Sequence, residues 1–143
     1  MVIFTYDVYI RGMMSLKLNH DCIRDLLLFI ENNLQYGFYI DVNSVEINDY
    51  SKEEILYSAD KLYEAGYISA DRRITIGSKG LPQINVKSIT WDGHQFLDNV
   101  RDRNVWENTK VVLSNFSSVS IGVVNNVATQ IISSFVKTQL SLK

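Results

Sequence analysis

Cys22, His20 and His94 are the only thiol and imidazole side chains in this chain of 143 residues, so any nucleophilic or soft-metal chemistry must begin with them. A cysteine–histidine nucleophile pair needs a third group to orient the imidazole and a lowered thiol pKa. Cys22 instead sits inside an apolar helical run, where a cysteine usually serves as a small buried hydrophobe. One cysteine and two histidines without a ligand spacing do not make a zinc site. His94 falls in the first turn of a helix expected from about Trp91, where it can stack on Trp91 or face solvent. Glu53 and Glu54 begin another helix, where carboxylates complement the positive end of the dipole. No Gly-x-Gly-x-x-Gly, phosphate loop or Gly-x-Ser-x-Gly occurs. The expectation is a chain with no catalytic residue, no metal and no cofactor, hence not an enzyme.

The basic residues offer a different chemistry, the neutralisation of phosphates. Net charge is −2, but its distribution is uneven. Residues 1–50 carry three basic and seven acidic side chains, residues 51–100 six and seven, and residues 101–143 five and two. Arg72, Arg73, Lys79 and Lys87 form a local run with no acid between residue 72 and Asp92. Lys52 and Lys61 lie on the preceding helical segment, outnumbered there by Glu53, Glu54, Asp60 and Glu64. Duplex affinity comes largely from lysine and arginine displacing counterions, so that acidic segment opposes it. Four such cations would support weak, salt-sensitive binding only.

These residues must be held by elements legible from the pattern. Asn19 can cap a helix over residues 20–34, with Asp21 near its positive end and Ile23, Leu26, Leu27, Ile30 and Leu34 on one face. A short strand, "YGFYIDV", and a loop or helical turn, "NSVEINDY", follow. Ser51, with Glu54 three residues on, reads as a capping box opening a helix closed by Gly66. Ile55, Ala59 and Leu62 line its buried side. "YISADRRITI", "GSKGLP" and "QINVKSIT" read as a hairpin with Gly77, Gly80 and Pro82 at its tip. After Thr90 the spacing of Trp91, Phe96, Leu97 and Val100 turns helical, and "NVWENTKVVLSNF" continues as a fourth or bent helix. The last helix spans about residues 120–140. The expected core is Ile23, Leu26, Leu27, Ile30, Ile55, Ala59, Leu62, Ile68, Phe96, Leu97 and Val100. The expected fold class is α+β, a winged helix-turn-helix-like domain over residues 14–104, with a C-terminal helical extension over 105–143 in the same compact unit.

Four segments carry a family resemblance: "KLNHDCIRDLLLFIE", "YSKEEILYSADKLYEAGYI", "SITWDGHQFLDNVRDRNVWENTK" and "VVNNVATQI". Together they resemble the family catalogued as domain of unknown function 2513, found largely in bacteria and their prophages. The resemblance implies a winged-helix-like fold and an association with mobile elements, and it brings no catalytic residues. It begins near Lys17. Residues 1–13 are therefore expected to be either an extra edge strand or a non-native extension ahead of a start at Met13 or Met14.

Composition bounds the remaining readings. With 46% hydrophobic residues and a single cysteine, the chain reads as a soluble, cytoplasmic globular protein without disulfides. Its N-terminus does not read as a signal peptide. Between Lys110 and Lys137 lie 26 residues without charge, where the chain's 21% charged content leads one to expect roughly five. Asn125, Asn126, Thr129, Gln130, Ser133 and Ser134 make that stretch too polar for lipid, and no membrane partner is expected. The spacing points Ile121, Val124, Ala128, Ile131 and Phe135 inward. Asn125, Asn126, Thr129, Gln130 and Ser133 are left to face a symmetry mate, where a charge would meet its own copy. Two functions stay open: a DNA-binding regulator acting through Arg72, Arg73, Lys79, Lys87, Lys52 and Lys61, and a protein-interaction module, a homodimer or adaptor, that does not bind DNA.

Overall fold

A computed structural model of the protein describes residues 16–142. Residues 1–13, expected as an edge strand or extension, lie outside the described residues. Helix α1, His20–Asn33, starts where the Asn19 side chain accepts from the Cys22 backbone N–H at 3.2 Å. Cys22, Ile23, Leu26, Leu27 and Ile30, three or four apart, form its buried stripe. The strand expected from "YGFYIDV" shrinks to β1, Ile40–Asp41, followed by a 3-10 turn over Val42–Ser44. Tyr36, Phe38 and Tyr39 are left exposed ahead of it.

Helix α2, Lys52–Glu64, is capped by the Ser51 hydroxyl, which accepts from the Glu54 N–H at 3.1 Å. The return half of the expected capping box is absent, because the Glu54 carboxylate accepts from the Asn19 side chain at 2.8 Å instead. At its other end Gly66 (φ +79°) donates its N–H to the Tyr63 carbonyl, and Tyr67 donates to the Leu62 carbonyl at 2.8 Å. That paired closure requires the left-handed conformation glycine adopts without strain. It delivers the chain directly into strand β2, Ile68–Ile74.

Strand β2 turns back into β3, Pro82–Ile89, as an antiparallel hairpin with a register shift at Ser69/Ala70. The hairpin loop uses positive φ at Gly77, Lys79 and Gly80. Strand β1 pairs antiparallel with the other edge of β3, so the sheet order is β1-β3-β2. One sheet face closes on the helices through Ile68, Ile84 and Val86, while the strand arm carrying Arg72 and Arg73 runs into solvent.

Helix α3, Trp91–Val100, begins one residue after β3. Thr90 makes the handover. Its hydroxyl accepts from the Gly93 N–H at 3.1 Å and donates to the Gly66 carbonyl, while its N–H donates to the Tyr67 carbonyl at 3.0 Å. Phe96, Leu97 and Val100 are buried as expected, but Trp91 is 77% exposed. It stands on the first helical position, where the side chain points away from the body. Every residue of the expected core is buried, and Cys22, Leu56, Val105, Trp106, Val124 and Ala128 join it.

Helix α4, Arg103–Leu113, and helix α5, Ile121–Ser141, complete an α+β fold that among the described residues comprises five α-helices and one small sheet. Val124 and Ala128 are fully buried, and Ile121, Ile131 and Ile132 pack partly against the core. Phe135, expected inward, is 44% exposed. Its place on the helix is right. The body beneath ends before the helix does, and from Ser133 onward each described residue of α5 is exposed.

Candidate functional site

Helix α2 and the hairpin hold all six cations proposed from the sequence to meet DNA. Arg72 reaches back across the hairpin to α2, where Nε and Nη2 donate to the two Asp60 carboxylate oxygens at 2.6 and 3.1 Å. This fork-to-fork pair occupies the guanidinium edge a phosphate would need. Lys87 pairs with Asp71 at 3.1 Å on the neighbouring strand. Lys61 pairs with Glu64 at 2.7 Å and lies over the Tyr57 ring. Arg73, Lys79 and Lys52 carry no ion pair among the described residues, which halves the basic surface counted from the sequence. Between these cations the hairpin presents Ile74, Ile76 and Leu81 to solvent, with Ile76 fully exposed at its tip.

The C-terminal helix shows a second surface. Asn125, expected to face a symmetry mate, is turned to its own chain and accepts from the Asn99 side chain at 2.8 Å. Thr129 donates to the Asn126 carbonyl, and Asn126, Gln130 and Ser133 are exposed. The apolar stripe that buries Val124 and Ala128 continues along the same helix face through Phe135 to Leu142. Val136 and Leu140 flank it, also exposed.

The soft and imidazole groups do not converge. His20 bonds through Nε2 to the Val119 carbonyl at 2.9 Å, whereas His94 is exposed on α3. Cys22 is fully buried and its thiol is pushed up to about 11, first by burial and further by the Glu54 and Asp25 carboxylates, against a hydrogen bond with Ser58 that lowers it. A thiol so held is a poor nucleophile. Iodoacetamide at pH 8 is therefore expected to leave Cys22 unmodified in the native protein and to alkylate it rapidly in urea. Because the folded pKa lies above the ordinary 9.0, the native state holds this proton more tightly. The stability it contributes is complete below pH 9 and is lost as pH rises from 9 toward 11. Melting midpoints across that window, compared with Cys22→Ala, check this; equal slopes for both proteins would contradict it.

Other functional candidates escaped the sequence. Asp21 accepts from the Trp106 indole N–H at 2.8 Å and from Lys110 at 3.2 Å, linking the start of α1 to α4 across 85 residues or more. Arg101 reaches both Glu31 oxygens and Asp98, and its guanidinium holds the Glu31 carboxyl below the usual range. Local spacing signals neither contact.

No helix among the described residues is long and apolar enough to cross a membrane. The model of the family described as "Hypothetical protein (DUF2513)" matches residues 17–120 and stops where α5 begins, short of "VVNNVATQI". An "Uncharacterized protein" of Haemophilus influenzae is 29% identical over 119 residues, covering 82% of this chain and 97% of that relative. No solved structure matches.

Proposed function

The chain belongs to the family described as "Hypothetical protein (DUF2513)", and from its geometry we propose a non-enzymatic winged-helix protein that works by binding protein and self-associates through α5. The winged-helix reading is supported by the element order. A helix, a short strand, a helical turn and a second helix precede a hairpin, and the first strand pairs with the hairpin's return strand. The observation that carries the functional reading is the overhang of α5. Its apolar stripe runs past the end of the body, leaving Phe135, Val136, Leu140 and Leu142 exposed on a helix that keeps its geometry to Ser141.

Isolated helical turns are marginal in water, and contiguous exposed apolar residues on a helix mark an interaction surface. The absence of charge over residues 111–136 suits a second copy as the partner, since any charge near the axis would face itself. The seam so proposed lies on the stripe rather than on the polar face of Asn126, Gln130 and Ser133.

Light scattering at about 100 µM, a concentration that reveals dimers of micromolar affinity, is expected to give the mass of a dimer. Leu140→Glu with Leu142→Glu is expected to give a monomer with unchanged helix content, because both side chains are well exposed within their own chain. Asn126→Glu with Gln130→Glu is expected to leave the dimer intact. A monomeric wild type would end the proposal. The second reading, DNA binding through the wing, rests on Arg73, Lys79 and Lys52, the cations without an ion pair. A duplex titration of the same protein at low salt decides between them. No saturable binding is expected, and binding lost in Arg73→Glu with Lys79→Glu would favour the DNA reading.

A further inference from the structure

Between the start of α1, the outer side of α4 and the segment joining α4 to α5 lies a cavity of about 520 Å³ that neither proposed surface uses. We propose that it binds a small organic cation, a protonated primary amine carried on an aromatic or branched aliphatic body. The volume falls in the range of small-molecule sites, which combine apolar walls with a few polar groups that orient the ligand. Trp106, Leu113 and Phe116 supply walls here, and Val124 contributes from α5. The joining segment is fastened over α1 by the bond from His20 to the Val119 carbonyl, so the cavity is bounded by residues far apart in sequence.

The charge of the ligand follows from which lining groups are already engaged. Lys110 is paired with Asp21 at 3.2 Å and approaches Glu107 at 3.6 Å, and Lys17 donates to the Ser117 carbonyl at 2.8 Å. Asp21 is engaged by Lys110 and by the Trp106 indole through one oxygen. Glu54 differs. Its Oε1 accepts from the neutral Asn19 amide, and it has no ion pair among the described residues. A half-buried carboxylate beside apolar walls is stabilised by a cation with N–H donors.

The test titrates the full-length, nitrogen-15-labelled protein with 2-phenylethylamine and follows its two indole N–H signals. Trp106 lines the cavity and Trp91 stands exposed on α3, so the second signal is an internal reference. A saturable shift of Trp106 with Trp91 unmoved is expected. Glu54→Gln, which keeps the acceptor for Asn19 and removes the charge, is expected to weaken binding about tenfold, the scale of one charge-assisted hydrogen bond. The charge-reversed probe 3-phenylpropanoate is expected to bind more weakly than the amine. The proposal is overturned by no saturable shift at millimolar amine, by a shift confined to Trp91, by equal or tighter binding of the carboxylate, or by unchanged affinity in a folded Glu54→Gln protein.

Discussion

Replacing Gly93 with alanine is expected to lower stability by about 3 kcal/mol, at the upper end of what overpacking usually costs, and the melting midpoint by roughly 10 °C. A Cβ at this position would stand 2.0 Å from the Tyr67 carbonyl oxygen and 2.7 Å from Cγ2 of Ile89. The first neighbour is backbone and cannot turn aside. That carbonyl also accepts the Thr90 N–H, so displacing it would disturb the cap of α3 and the start of β2 together. Alanine's better helix propensity recovers at most about 1 kcal/mol. Gly122, in the first turn of α5, is the control. Its added Cβ would meet nothing nearer than the Ser120 hydroxyl at 3.8 Å, so Gly122→Ala is expected to be neutral or slightly stabilising. Urea unfolding of both variants separates steric from conformational causes. A Gly93→Ala protein as stable as the wild type would mean that α3 does not meet the end of α2 as described.

That junction shows which parts of the fold were legible. The change from alternation to helical spacing at Thr90 was readable because both periods are local. Thr90 could be placed as the turning point for the same reason. The need for glycine at position 93 was not readable as a contact, since the atom it must avoid belongs to a residue 26 positions earlier. Core positions such as Leu26, Ile55, Leu97 and Val100 were recoverable because burial on one face repeats every three or four residues. Trp91 and Phe135 fit the same spacing and are nevertheless exposed. Periodicity identifies a face, but not whether the rest of the molecule extends far enough to cover it.

The candidate surfaces were less legible, for an electrostatic reason. Counting Arg72 and Lys87 as available cations treats each charge alone, whereas antiparallel pairing and the packing of α2 against the hairpin bring Asp60 and Asp71 beside them. The register that makes these neighbours belongs to the folded hairpin. Glu54 shows the same limit in reverse: its spacing from Ser51 suggested a local capping partner, yet its carboxylate turns to Asn19, the residue that caps α1. The charge-free stretch was visible in composition alone, and it is the feature that the proposed seam on α5 uses.

Leu62→Ala is expected to cost about 2–5 kcal/mol, the range for truncating a buried leucine whose surroundings close only partly over the space. Leu62 is 2% exposed and lies one turn from fully buried Ala59, on the face of α2 that packs into the common core. Its backbone also accepts the Tyr67 N–H, a bond the substitution leaves in place, so the loss measures side-chain packing and not the helix end. Tyr63, the next residue, is exposed, and Tyr63→Ala is expected to stay within about 0.5 kcal/mol of the wild type. The contrast is what matters, because a rotation of α2 by one residue would exchange the two costs. Such a rotation would also move Asp60 away from Arg72 and free that guanidinium. Equilibrium unfolding in urea of both variants therefore bears on the surface as well as the core. A Leu62→Ala loss below about 1 kcal/mol, well under the range for a buried leucine, would show that the buried face of α2 is misassigned. The argument that Asp60 occupies Arg72 would fall with it.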